Sequence, residues 1–160
     1  MPGKIQQELK LTKSLGSLEE EVFLNVQRTA NVLNQGLNAL LKQFDLTGTQ
    51  YNVLRILRGA GPAGLAAGEI GERMITRDPD VTRLLDRLEK RGLAERWRCT
   101  DDRRVVWTRI TPVGVELIAP LDGPILELHA RMLSPLGTER LQLLVALLEE
   151  ARDGLEEAEA

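Results

Sequence analysis

The stretch DPDVTRLLDRLEKRG at residues 78–92, followed by LAERWRC, TDDRR and VVWTRIT, constrains this chain more than any other feature. Val81, Leu84, Leu85 and Leu88 recur at i, i+3, i+4 and i+7, which places one apolar stripe along a helix. Asp78 is expected to cap that helix, and Pro79 to take its first position, where the missing N–H would have no partner anyway. Gly92 is expected to end it, because glycine enters the left-handed region without steric cost. The opposite side carries Asp80, Thr82, Arg83, Asp86, Arg87 and Lys90. Beyond Gly92 the chain reads as a strand, a tight charged turn at Asp101–Arg104 and a second strand. Trp97 and Trp107 fall one on each strand, either paired across them or packed on opposite faces.

The flanking sequence is helical in period. Ser17 with Glu20 makes a capping box, and apolar residues from Val22 to Phe44 hold helical spacing to about Asp45. Gln27, Asn31, Asn34, Gln35 and Asn38 line its polar side, which either packs on other helices or is solvated. Thr47 with Gln50 makes a second box before a short apolar helix, broken by the glycines at 59, 61 and 64. AAGEIGERM comes next as a third helix with Ile70 and Met74 inward, its cap weak because Ala66, Ala67 and Gly68 have no side-chain acceptor. Residues 1–16 read as a short helix or an arm. Thr111-Pro112 opens another helix, with Pro120 and Pro124 inside it. An interior proline costs about 3 kcal/mol unless a kink absorbs it, so this is either a kinked helix or two pieces meeting near 120–123. Gly137 or Thr138 opens the last helix, whose stripe of Leu141, Leu144, Val145 and Leu148 is widened by Leu143 and Leu147 and therefore needs more than one neighbour. The acidic tail EEAEA is expected to fray. A short helix, a turn, a second helix with polar outward residues and a basic hairpin form the outline of a winged helix-turn-helix. The fold expected is mainly α, with one small β-hairpin wing: a winged helix-turn-helix lobe at 46–111 and a flanking helical dimerisation region at 18–45 and 112–153, together one structural domain.

Charge is distributed unevenly. The net charge is −3 at pH 7, yet residues 73–109 hold eleven basic and seven acidic side chains, a net of +4. Residues 110–160 hold three basic and ten acidic ones, a net of −7. One basic segment within an acidic chain suits a face that meets a polyanion while the remainder stays in solvent, although charge also fluctuates along any chain. With a single cysteine no intrachain disulfide can form, no apolar run approaches a membrane span, and the N-terminus lacks a signal-peptide core, so a cytoplasmic location is expected.

Nothing in the sequence calls for catalysis, a cofactor or a metal. The one histidine, His129, is far in sequence from the one cysteine, Cys99, and no phosphate loop or metal-ligand spacing appears. Cys99, beside Arg98, is either an oxidant-reactive thiol or a small strand residue without a special role. DNA is the polyanion the residues suit best. Arg83 and Arg87 lie one turn apart on the outward face, Thr76 and Thr82 can donate to phosphate, and Arg77 stands at the entrance to the helix. Asp80 could accept a hydrogen bond from cytosine, and Arg103 and Arg104 project from a hairpin narrow enough for a minor groove. Ion pairing of Arg83 and Arg87 on a solvated helix is the competing reading. Two rival functions stay open: a winged helix used for protein contacts alone, and a helical protein that binds small molecules.

The segments LTGTQYNVLRIL, EIGERM, DVTRLLDRLEKRGLAER and DDRRVVWTRITPVG, in this order from Leu46 to Gly114, resemble the MarR family of bacterial transcription regulators. Asp102 with Arg104 in the wing is the most specific part of that match. The resemblance implies a homodimer held by the first and last helices, bound to an inverted repeat with one recognition helix per half-site; the function expected is that of a repressor released by a ligand. It implies that Arg104 enters the minor groove and that Asp102 orients it. It also implies a pocket for a small ligand, often a phenol or aromatic acid, between the dimer helices and the DNA-binding lobe. By position and polarity Arg28, Tyr51, Arg55 and His129 are the candidates to line it. The oxidant-sensing branch carries its cysteine in the first long helix, where this chain has none, and TRDPD departs from the usual serine-rich start of the recognition helix.

Overall fold

The computed structural model describes residues 3–76 and 80–159, with side chains described as far as residue 154. The chain divides into two units, residues 1–117 and 118–160.

The first unit opens with helix α1 (Lys4–Glu8) and the long helix α2 (Leu18–Leu41). The expected capping box at Ser17 is only half formed. The Ser17 hydroxyl accepts from the Glu20 N–H at 3.2 Å, but the Glu20 carboxylate reaches one residue further back and accepts from Gly16 N–H at 2.6 Å. Helix α2 ends four residues short of Asp45: a 3-10 turn at Lys42–Phe44 comes after it, and Asp45 adopts a left-handed conformation with φ 52°. Helix α3 (Gly48–Ala60) has the complete box, with Gln50 N–H on the Thr47 hydroxyl at 3.2 Å and Thr47 N–H on the Gln50 carbonyl at 3.0 Å. It buries Tyr51, Val53, Leu54 and Leu57.

A strand that the sequence pattern did not announce comes next. Strand β1 (Leu65–Ala66) pairs with β3 (Val106–Ile110), which also pairs with β2 (Ala94–Arg98), so the sheet is antiparallel in the order β1-β3-β2. Gly64 admits it: with φ 69°, a Cβ there would stand 2.5 Å from the Thr108 carbonyl oxygen and 2.8 Å from the Trp97 ring. Helix α4 (Ala67–Arg73) starts better than its cap residues suggest, because the Glu69 carboxylate accepts from the Ala66 N–H at 3.0 Å.

Helix α5 spans Val81–Lys90. Its cap is Asp80, whose carboxylate accepts from Arg83 N–H at 3.0 Å; Asp78 and Pro79, the expected cap and first residue, lie outside the described residues. Leu84, Leu85 and Leu88 are buried, as the stripe predicts. The helix ends in a Schellman turn, with Gly92 at φ 69°, its N–H on the Glu89 carbonyl and Leu93 N–H on the Leu88 carbonyl. Together with Leu41, Val53, Leu54, Leu57 and Ile70, this stripe makes up most of the unit's fully buried core. Helix α6 (Pro112–Ile118) is capped by Thr111, whose hydroxyl accepts from Gly114 N–H at 3.1 Å.

The region with the two interior prolines is resolved into two pieces. Pro120 sits in a 3-10 turn at Ala119–Leu121, and Pro124 lies in the first turn of helix α7 (Asp122–Leu133), where proline is tolerated. In the second unit Ile118, Leu121, Ile125 and Leu128 are buried. Helix α8 (Thr138–Glu159) starts after Gly137, whose carbonyl accepts from Leu141 N–H at 3.0 Å. It continues through the acidic tail to Glu159, where fraying was expected. Among the described residues no helix is long and apolar enough to cross a membrane.

Candidate nucleic-acid interface

The interface is assembled from α5, the turn before it and the hairpin after it. With Leu84, Leu85 and Leu88 committed to the core, helical period leaves Thr82, Arg83 and Arg87 exposed. Arg83 stands 3.6 Å from the Asp80 carboxylate, so Asp80 serves α5 as its cap and as a partner of Arg83. Thr76 is exposed in the turn, next to Ile75, which is 81% exposed. Arg77 lies outside the described residues.

That turn is held from within. Asn52, buried on α3, accepts the Ile75 N–H on its side-chain oxygen at 3.0 Å. A buried acceptor aimed at one backbone N–H fixes where the chain leaves α4. The far end of α5 is fixed by Arg91, which donates to the Asp45 carbonyl at 2.7 Å and lies 3.4 Å from the Asp45 carboxylate. Sequence reasoning missed both contacts. Asn52 carried a weak signal, a lone amide among the apolar residues of YNVLRIL; the Arg91–Asp45 pair joins residues 46 apart and carried none.

In the wing, Trp97 and Trp107 are direct cross-strand partners, so both rings lie on one face. Arg109 stacks on that face, 5.1 Å from the Trp97 ring centre, while its guanidinium donates to Glu95 at 2.6 Å. On the other face, Arg96 donates to both Asp86, at 2.6 Å, and Glu89 of α5. The turn closes with Val105 N–H on the Asp102 carbonyl and Cys99 N–H on the Val105 carbonyl. The Asp102 carboxylate accepts the Arg104 N–H at 3.0 Å and sits 3.6 Å from the Arg104 guanidinium, whose side chain is 95% exposed. Arg103 is exposed beside it. The backbone N–H groups of Asp102 and Asp101, and then the Trp107 side chain, hold the Cys99 thiol below the usual thiol range.

An open cleft of about 950 Å³ in the first unit is lined by α2 (Asn34, Asn38), Lys42 of the 3-10 turn after it, the loop into α3, the turn residues Met74, Ile75 and Thr76, and Arg87, Lys90 and Arg91. None of Arg28, Tyr51, Arg55 or His129 lines it. Arg28 is exposed and pairs with Glu8 at 3.6 Å, Tyr51 is buried, Arg55 is exposed, and His129 is exposed on α7 in the other unit. The polar side of α2 is thus split. Asn34 and Asn38 line the cleft, Asn38 also accepting Gly48 N–H at 3.2 Å, while Gln27, Asn31 and Gln35 face solvent.

The MarR family profile matches residues 46–106, from the loop before α3 to the start of β3. A MarR transcription factor from Planctomyces limnophilus is 38% identical over 84% of this chain and 98% of its own, with a TM-score of 0.65. This chain belongs to the MarR family of transcription regulators. At 24% identity the fold also matches the MepR–DNA complex of S. aureus (81% of this chain, 94% of that one, TM-score 0.74). It matches a variant of E. coli MarR complexed with operator DNA equally well (24% identity, 85% and 99%, TM-score 0.75). Within the profile match lie Asn52, the described turn residues, α5 and the wing tip, while Asp45, the partner of Arg91, lies one residue outside it.

Proposed function

We propose that this MarR-family regulator binds double-stranded DNA, with α5 in the major groove and the wing tip in the adjoining minor groove. The observation that carries the reading is the joint exposure of Thr82, Arg83 and Arg87 on α5 and of Arg103 and Arg104 on the wing, beside a backbone fixed by Asn52 and Asp102. Thr76 extends that surface along the turn, and Arg77, outside the described residues, is proposed to contact DNA with it. Residues 46–111 are the DNA-binding lobe, and 18–45 with 112–153 the dimerisation region. Exposed Leu18, Val22, Phe23 and Val26 on α2, and Leu143, Leu144, Val145, Leu147 and Leu148 on α8, support self-association: so much apolar surface calls for a partner, and a second copy supplies an identical face. The dimer reads an inverted repeat with half-site centres about 34–36 Å apart, one turn of DNA. It acts in the cytoplasm as a repressor that a small ligand modulates. The cleft is where that ligand is proposed to bind, a phenol or aromatic acid whose anionic group meets Arg87 or Lys90.

Selection of bound sites from random DNA tests the reading. Recovery of inverted repeats at that spacing is expected, and Arg104→Ala is expected to weaken binding and lower its salt dependence. Absence of salt-sensitive binding by the wild-type protein returns the chain to the rival role of a winged helix used for protein contacts.

A further inference from the structure

Two carboxylates stand where a DNA-binding helix is least able to hold them. Asp86 lies one turn on from Arg83 along α5, and Glu89 lies in its last turn, where the helix dipole already places negative charge. Both are part exposed, at 44% and 39% of their side chains. Brought towards phosphate, bare carboxylates on the flank of the helix would repel it. Neither is bare. The Arg96 guanidinium on β2 donates to Asp86 through Nη2 at 2.6 Å and to Glu89 through both Nε, at 3.0 Å, and Nη2. At 23% exposure its side chain is the least exposed member of any described ion pair in the chain. Glu89 foremost, with Asp86 adding to it, holds that guanidinium above its already high range, against a partial burial that pulls the other way.

An exposed ion pair adds little to stability, so stability alone is a weak reason for this arrangement. The planar fork of arginine engages two acceptors at once, which the ammonium of lysine does less well. The cation arrives from the wing strand, so the same contact ties the two DNA-facing elements together.

We propose that Arg96 is a positioning residue for DNA binding: it masks Asp86 and Glu89 on the flank of the recognition helix, without touching DNA. The inference rests on the proposed DNA-binding function. Its test measures affinity for a duplex that the wild-type protein selects from random DNA, across a salt series, with melting temperature and oligomeric state recorded for every variant. Arg96→Met is expected to weaken binding about tenfold at low salt, with the loss shrinking as salt rises because the unmasked charges become screened. Arg96→Lys is expected to recover part of the loss. Adding Asp86→Asn and Glu89→Gln to Arg96→Met is expected to restore most of the affinity, which a merely structural staple would not do. A loss independent of salt, or a triple variant no better than Arg96→Met, overturns the proposal. Should Arg96→Met fail to fold, Asp86→Asn/Glu89→Gln with Arg96 retained decides: affinity equal to wild type or tighter supports masking, and a tenfold loss overturns it. If the wild-type protein selects no DNA, the functional reading fails and this inference falls with it; if the wild type binds and Arg96→Met binds equally well, the inference fails alone.

Discussion

Helices α5 and α8 carry the same kind of sequence signal and meet different fates. Each has leucines at helical spacing. In α5, Leu84, Leu85 and Leu88 are buried within the chain, and the helix is capped locally by Asp80 and held at its C-terminal end by Arg91 on the distant Asp45. In α8, Leu143, Val145 and Leu147 are more than half exposed and Leu144 and Leu148 are more than a third exposed. An apolar stripe therefore specifies that a surface is to be covered, not what covers it. For α5 the cover is supplied by the same chain; for α8 it is the proposed second copy.

The largest effect that can break this comparison is Leu88→Ala, at a site with no solvent exposure. It is expected to cost about 2–5 kcal/mol, read from urea unfolding at fixed protein concentration. A cost near zero would mean that the α5 stripe is no better buried than that of α8. Asn52→Ala comes next. It strips the Ile75 N–H of its acceptor in a part-buried turn and is expected to cost about 1–3 kcal/mol. Because the lost bond holds the turn that carries the exposed Thr76, DNA affinity is expected to fall more than in a surface variant of equal stability. On α8, Leu143→Ser/Leu147→Ser is expected to weaken self-association about tenfold, about 1.4 kcal/mol, in sedimentation equilibrium. An unchanged dimer would show that another surface covers the stripe.

The smallest effect concerns Cys99. Its thiol is held low by the wing backbone, so thiolate absorbance in the folded protein is expected to titrate at lower pH than in denaturant. A depressed folded value favours folding at pH above the ordinary thiol range, and that contribution fades as pH falls through the lowered value. Coincident titrations would mean that the wing turn does not hold the geometry described.

Much of the fold was legible because its signals are local. Caps at Ser17, Thr47 and Thr111, the stripe of α5, the stop at Gly92 and the hairpin with its paired tryptophans all depend on residues a few positions apart. The start of α5 is set by Asp80, whose carboxylate caps the helix through Arg83 N–H, while Asp78 and Pro79 lie outside the described residues. Of the candidate interface, exposed arginines could be named from helical period alone. The third strand could not, since a two-residue segment carries no period and depends on the close approach that Gly64 allows.

The sequence alone determined the helices, the hairpin, the winged helix-turn-helix outline and the family, because short-range periodicity and turn chemistry are written in consecutive residues. Only the tertiary structure decided what holds the interface in place: Asn52 on the turn, Arg91 on Asp45, and Arg96 across Asp86 and Glu89. These are contacts between charged or polar groups on separate elements, and their partners are set by how buried surfaces bring the chain together in space.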